Sequence, residues 1–133
     1  MDLGHWTYDG DVSDLEGKLG FVYLITHRSS GRRYVGIKQM KKRIKRPPLK
    51  GQKRKRISHV DSDWKSYCSS SPSLQALIAS GGEEGFEFLI LSAHQSKSRL
   101  KWEELKIQVE NNVLENDSWF NGIVNVRLSK LGD

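Results

Sequence analysis

Residues 20–38, GFVYLITHRSSGRRYVGIK, are two apolar runs joined by a short polar turn. From Phe21 to His27, residues Phe21, Tyr23 and Ile25 fall on one side and Val22, Leu24 and Thr26 on the other, the period-two pattern of a β-strand. The intervening RSSGR has turn composition, and Gly31 can take a positive φ without a Cβ penalty. Arg33 to Lys38 then reads as the return strand. The spacing predicts an antiparallel hairpin carrying one tyrosine in each arm, Tyr23 and Tyr34.

Working outward, residues 1–18 show no periodicity and read as an irregular, acidic arm, unlike a signal or transit peptide, from which His5, Trp6 and Tyr8 could tuck onto the domain. After the hairpin, Pro47-Pro48 and Gly51 stop any helix from running through 41–59, leaving room only for a short helix at Gln39–Lys45. Pro72 to Ala79 reads as a helix, with Pro72 or Ser73 in its first turn and Gly81-Gly82 ending it. GFEFLILSAHQ is the strongest strand, apolar at its centre and so central in a sheet. SKSRLKWEELKIQVENNVL is the best helix, opening at Ser96 or Ser98 and ending near Asn111-Asn112. The order β-β-α-β-α predicts an α/β (α+β) fold, a small three-stranded antiparallel sheet flanked by helices. At 133 residues this is one domain, with an arm at 1–18 and a body at 19–133 that carries a basic insertion at 38–58.

The charge distribution says more than the net +6. Between Lys38 and Arg56 there are eleven Lys or Arg and no Asp or Glu, half of the 22 basic residues in the chain. The remaining eleven stand against all sixteen acidic residues, so the rest of the chain is net negative. Such a dipolar layout steers a polyanion rather than serving general solubility, and nucleic acid is the expected partner. The single Cys68 excludes an intrachain disulfide and a cysteine-rich zinc site, which suits a reducing cytoplasm. No apolar run is long enough to span a bilayer, so no membrane partner is expected.

Two features meet the needs of a reaction. The hairpin sets two phenols on neighbouring strands with Lys38 at the end of the second, and a cation near a phenol lowers its pKa and suits it to proton relay. Taken alone, two strand tyrosines are more simply packing residues. In the long helix, Glu103 shares a solvated stripe with Arg99, Lys106 and Glu110, whereas Glu104 borders the apolar side beside Leu100, Ile107 and Gln108. A carboxylate at the edge of a core is a candidate metal ligand, with water and substrate phosphate completing the shell; the plainer alternative is a surface glutamate. His5, His27 and His94 suggest no ligand cluster, while His59, directly after the basic run, is a candidate acid or base.

Together these residues resemble the GIY-YIG nuclease family. Phe21-Val22-Tyr23 stands where the family has Gly-Ile-Tyr, and Tyr34-Val35-Gly36 matches its second motif. In WEELKIQVENNVLENDSWFNG, Glu104 and Asn121 fit the family's helix glutamate and late asparagine, and WFN is similar to the YYN of phage-encoded, homing-type members. DWKSYCSSSPSL also resembles a stretch of those members. The likeness spans roughly residues 19–128, and its specificity lies in the ordered set rather than in any one motif.

The resemblance implies a Mg²⁺-dependent (or Mn²⁺-dependent) DNA endonuclease or nickase using a single ion bound by Glu104. It makes Tyr23 the general base, through water, with Tyr34 orienting water or phosphate, or the two roles exchanged. Asn121 braces the site. The family's arginine follows its second motif on a helix; by spacing Arg43 takes that place, with Lys42 and Arg46 competing and Lys38 or Lys65 as alternative cations. Double-stranded DNA is the implied substrate, contacted by Lys41, Lys42, Arg46, Lys53, Arg54, Lys55, Arg56, His59 and Lys65. Target choice would then rest on the basic segment, the arm, a homodimer or a targeting protein. The host cytoplasm is the implied location if the gene is of phage type. The alternative is a non-catalytic nucleic-acid-binding module of the same fold. A small RNA-binding protein would show exposed sheet aromatics, but Phe86 and Phe88 flank FLIL, the pattern of a buried strand.

Overall fold

The computed structural model of the chain describes residues 1–124 and 127–131. The hairpin forms as expected: β2, Gly20–His27, pairs antiparallel with β3, Arg33–Gln39. Gly31 closes the turn at φ +74°. The GFEFLILSAHQ segment supplies β6, Phe86–His94, which lies on the other side of β2 with a bulge opposite Val22 and Tyr23. Helix α1, Pro72–Gly81, starts with Ser71 accepting from the Leu74 N–H and with proline in its first turn. Helix α2, Lys97–Glu110, is capped by Ser96 through the Arg99 N–H.

The sheet differs from the expectation in one strand. It has four strands in the order β1-β6-β2-β3, because Thr7–Tyr8 forms β1 and pairs parallel with β6. The arm is therefore not irregular: Trp6 is buried, and its indole Nε1–H donates to the Trp64 carbonyl at 2.6 Å. A two-residue strand has no period to read. It is held by the burial of one large aromatic ring, which local pattern does not report.

The second difference lies in the basic segment. Where the sequence left room for a short helix at Gln39–Lys45, Lys41–Arg46 is β4 and pairs antiparallel with β5, Arg56–Asp61, as a separate two-stranded ribbon. On a helix, Lys41 and Lys45, and Lys42 and Arg46, would lie one turn apart as like-charge pairs. The extended ribbon spreads these charges and sets Asp61, His59 and Ser58 opposite Lys41, Arg43 and Ile44.

Both faces of the sheet are covered. Phe21, Tyr23, Ile25, Phe86, Phe88 and Ile90 join Trp6, Trp64 and the α1 residues Leu74 and Ile78 in one core. Val22 and Val35 face the opposite way, onto Leu100 of α2, Val113 and Trp119. Edge strand β3 is closed by residues 118–121. The Arg33 N–H donates to Ser118 O at 2.9 Å and the Phe120 N–H to Arg33 O at 2.7 Å. No helix among the described residues is long and apolar enough to cross a membrane.

Candidate active site

A cleft of about 500 Å³ runs along β3, between the first turn of α1 and one side of α2. Its walls include Tyr34 and Gly36 from β3, Ser70 and Ser71 before α1, Glu104 and Gln108 from α2, and Asn121. Three residues picked from sequence, Tyr34, Glu104 and Asn121, thus converge from segments some 90 positions apart.

Glu104 is half-buried, and burial alone pushes its carboxyl up from the ordinary carboxylate range to about 7. It has no hydrogen-bond or ion-pair partner among the described residues. An unpaired, partly desolvated carboxylate facing a polar cleft is chemically suited to a cation, which would supply the missing counter-charge. Gln108 lies one helical turn further on, buried to 6% exposure and likewise without a partner among the described residues. Sequence reasoning passed over it. The available signal was a polar residue four positions after Glu104 on the apolar side of the helix.

Asn121 is buried, and both ends of its amide are spent on Val35: Oδ1 accepts from the Val35 N–H at 3.1 Å and Nδ2 donates to the Val35 carbonyl at 2.8 Å. The side chain thereby continues the ladder that Ser118 and Phe120 make with Arg33. Its position holds the edge of β3 between Tyr34 and Gly36.

The two tyrosines sit in different surroundings. Tyr34 is half-buried and opens on the cleft, its hydroxyl 3.0 Å from Ser70 Oγ. Burial raises its pKa; the Ser70 hydrogen bond opposes this, and the Glu104 charge adds to it. Tyr23 is 1% exposed, stacks on Tyr34 with centroids 6.1 Å apart, and lies across Gly36. A Cβ at Gly36 would land on the Tyr23 ring and hydroxyl, so the glycine is a packing requirement. Burial, then the neighbouring Tyr34, Tyr67 and Glu104, push the Tyr23 phenol well above its ordinary value.

Among the described residues, no lysine or arginine lines the cleft. Arg43, expected on a helix, stands exposed on β4 instead. Lys38 points to the Tyr67 side: its Nζ is 2.7 Å from Asp63 Oδ1 and 4.1 Å above the Tyr67 ring. Lys65 reaches Asp2 at 3.7 Å, outside the cleft. Lys41 pairs with Asp61, Arg46 donates to Ser58 Oγ, and Arg56 donates to the Pro47 carbonyl, all on the ribbon. Lys42, Lys53, Arg54 and Lys55 are exposed. His59 is exposed on β5 opposite Arg43, away from the cleft.

The histidines do not all stand alone as expected. His5, Cys68 and Glu83 come together, their ligand atoms within 4.8 Å of one another, with His5 Nδ1 3.1 Å from Glu83 Oε1. His5 Nε2 faces the Tyr67 carbonyl at 2.9 Å and the ring stacks on Phe88, which gives it a structural role at the arm.

Comparison with known families places the chain beside endonuclease domains by name. The family model described as "Putative endonuclease segE, GIY-YIG domain" matches residues 6–124. That span takes in the hairpin, the ribbon, both helices and Asn121, and it begins at the buried Trp6. No curated protein and no solved structure matches the chain.

Proposed function

This chain belongs to the GIY-YIG domain family of the segE type, and on that premise we propose that it is a divalent-metal-dependent endonuclease that hydrolyses phosphodiester bonds of double-stranded DNA. The observation that carries the proposal is Glu104: an unpaired, half-buried carboxylate in the same cleft as Tyr34 and Asn121. A purely binding module gains nothing from leaving that charge uncompensated, because desolvating it costs stability.

Divalent-metal dependence is general among GIY-YIG nucleases. Glu104 would hold one Mg²⁺ or Mn²⁺, which offsets the charge that develops on the phosphate and the leaving 3′ oxygen. Tyr34 is the better placed of the two phenols to touch an attacking water, since its hydroxyl opens on the cleft. Its neutral phenol would accept a hydrogen bond from that water and orient it, with its own O–H directed to Ser70 Oγ 3.0 Å away. Tyr23 supports it from beneath, and the roles first assigned by resemblance are exchanged in this reading. Asn121 keeps β3 at a fixed depth, so that Tyr34 and Glu104 face each other across the substrate. Gln108 offers a further amide to a phosphate oxygen. Lys38, held by Asp63, is the basic candidate nearest the tyrosine cluster and takes the family arginine's role in preference to Arg43.

One cleft per chain gives one strand cut per encounter, so the product from an isolated copy is a nick. A double-strand break needs a second copy or a second visit. The small, mobile-element type of nuclease fits a chain with one compact domain and an appended basic ribbon.

The test is incubation of supercoiled plasmid with the protein, with and without Mg²⁺, beside Glu104→Gln. Metal-dependent nicking that disappears in the variant supports the proposal. Plasmid retardation without cleavage under any metal would establish the binding module instead.

A further inference from the structure

The ribbon β4–β5 has two unlike faces. Strand alternation and the register put Lys42, Ile44 and Arg46 on one face with Val60, Ser58 and Arg56. There, Ile44, Ser58 and Val60 are half-buried, and both arginines are tied by hydrogen bonds to Ser58 Oγ and the Pro47 carbonyl. The other face carries the ion-paired Lys41 and Asp61 at the base of the ribbon, then Arg43 opposite His59 and Lys45 opposite Ile57, all six exposed. Arg43, Lys45 and His59 have no side-chain partner among the described residues. Ile57 is 49% exposed, an apolar side chain placed among cations.

From this asymmetry we infer that the outward face of the ribbon enters the DNA major groove and reads base edges, with Arg43 and Ile57 as the discriminating side chains. The inference rests on DNA being the substrate, though not on cleavage. Six residues per strand make a ribbon about 20 Å long, and a two-stranded ribbon fits a groove about 12 Å wide. A free arginine matches the O6 and N7 acceptors of guanine, and an exposed isoleucine beside it matches the methyl group of thymine. Phosphate contact alone would need no exposed isoleucine.

The basic residues of the connecting segment, Lys50, Lys53, Arg54 and Lys55, are all exposed, and in this arrangement they would meet the phosphates beside the groove. They supply sequence-independent affinity, while the ribbon face supplies choice. The base of the ribbon is tied to the sheet, since Ser62 N–H donates to Met40 O at 2.9 Å and Met40 N–H to Leu19 O at 2.8 Å. The ribbon thus starts directly from the end of β3, the strand that borders the cleft. Duplex RNA is the disfavoured ligand, because side chains cannot read its deep, narrow major groove.

The experiment is selection of bound duplexes from a randomised DNA pool by the full chain in EDTA, so that no cleavage intervenes. Enrichment of a short preferred site is expected. Arg43→Ala should lose roughly 5- to 150-fold discrimination at one G·C pair, and N7-methylation or 7-deazaguanine at that pair should weaken wild-type binding only. Ile57→Ala should relax a neighbouring A·T preference. Replacing Lys53 and Lys55 by glutamine should weaken all sequences alike and flatten the salt dependence. Circular dichroism and melting of each variant confirm that these exposed substitutions leave the fold intact. An unenriched pool overturns the inference, as does a preference identical in Arg43→Ala and Ile57→Ala, or tighter binding of duplex RNA. Plasmid nicking by the same preparation separates the two proposals. Site selection without nicking supports the ribbon and removes the nuclease; nicking without site selection does the reverse.

Discussion

Glu104→Gln should make this protein more stable at neutral and alkaline pH while removing its cleavage activity. The carboxyl is raised from 4.5 to about 7 by burial, with no partner to offset the cost of charging it. A rise of that size corresponds to about 3 kcal/mol. Partial exposure and relaxation of the cleft reduce the realisable part to about 1–2 kcal/mol. The sign follows from proton binding. Between pH 4.5 and 7 the folded chain holds the Glu104 proton that the unfolded chain has lost. Stability therefore falls as pH rises through that window, and the penalty is complete above 7. Glutamine keeps the shape and does not titrate.

In EDTA at pH 8 the variant should melt about 3–8 °C above the wild type. The gap should close as pH falls toward 4. If Glu104 is the metal ligand as proposed, adding Mg²⁺ should raise the wild-type melting temperature and move the variant much less. Thermal melts read by circular dichroism across pH, with and without metal, measure all three effects. A variant that melts at or below the wild type at pH 8, or a gap independent of pH, would refute the idea of an uncompensated charge.

Tyr34→Phe should lower the cleavage rate by about 10²-fold or more, and Tyr23→Phe by much less; single-turnover assays on supercoiled plasmid compare them, and the reverse order would return the direct role to Tyr23. Gly36→Ala should cost about 1–3 kcal/mol in urea unfolding, since the new methyl group meets the Tyr23 ring. Asn121→Ala leaves the Val35 N–H and carbonyl without their partners and should cost about 1–3 kcal/mol. Its activity loss should exceed what the lost stability explains, and equal activity per folded molecule would show that Asn121 does not set the geometry of the cleft.

The hairpin, the central strand and both helices were legible in the chain because their signals are local. Alternation in Phe21–His27, Ser71-Pro72 before α1 and Ser96 before α2 act within a few residues. The candidate site was legible only through the family resemblance carried by the ordered set Tyr23, Tyr34, Glu104 and Asn121, and periodicity alone favoured packing for the tyrosines. Gln108 was passed over because its place one turn after Glu104 marks a side of α2 but not that a cleft lies against that side.

What the sequence determined by itself, then, was the set of elements with strong internal period and the concentration of positive charge between Lys38 and Arg56. Tertiary structure decided the rest. It made a strand of Thr7–Tyr8 because Trp6 found a core, and a ribbon of the basic segment because paired extended strands separate like charges that a helix would stack. It also separated two similar phenols: Tyr23 lies over Gly36 in the core and Tyr34 opens on solvent beside Glu104. Alternation can place both tyrosines on one face of the sheet. Only the packing of two helices and an edge segment against that sheet decides which of them water can reach.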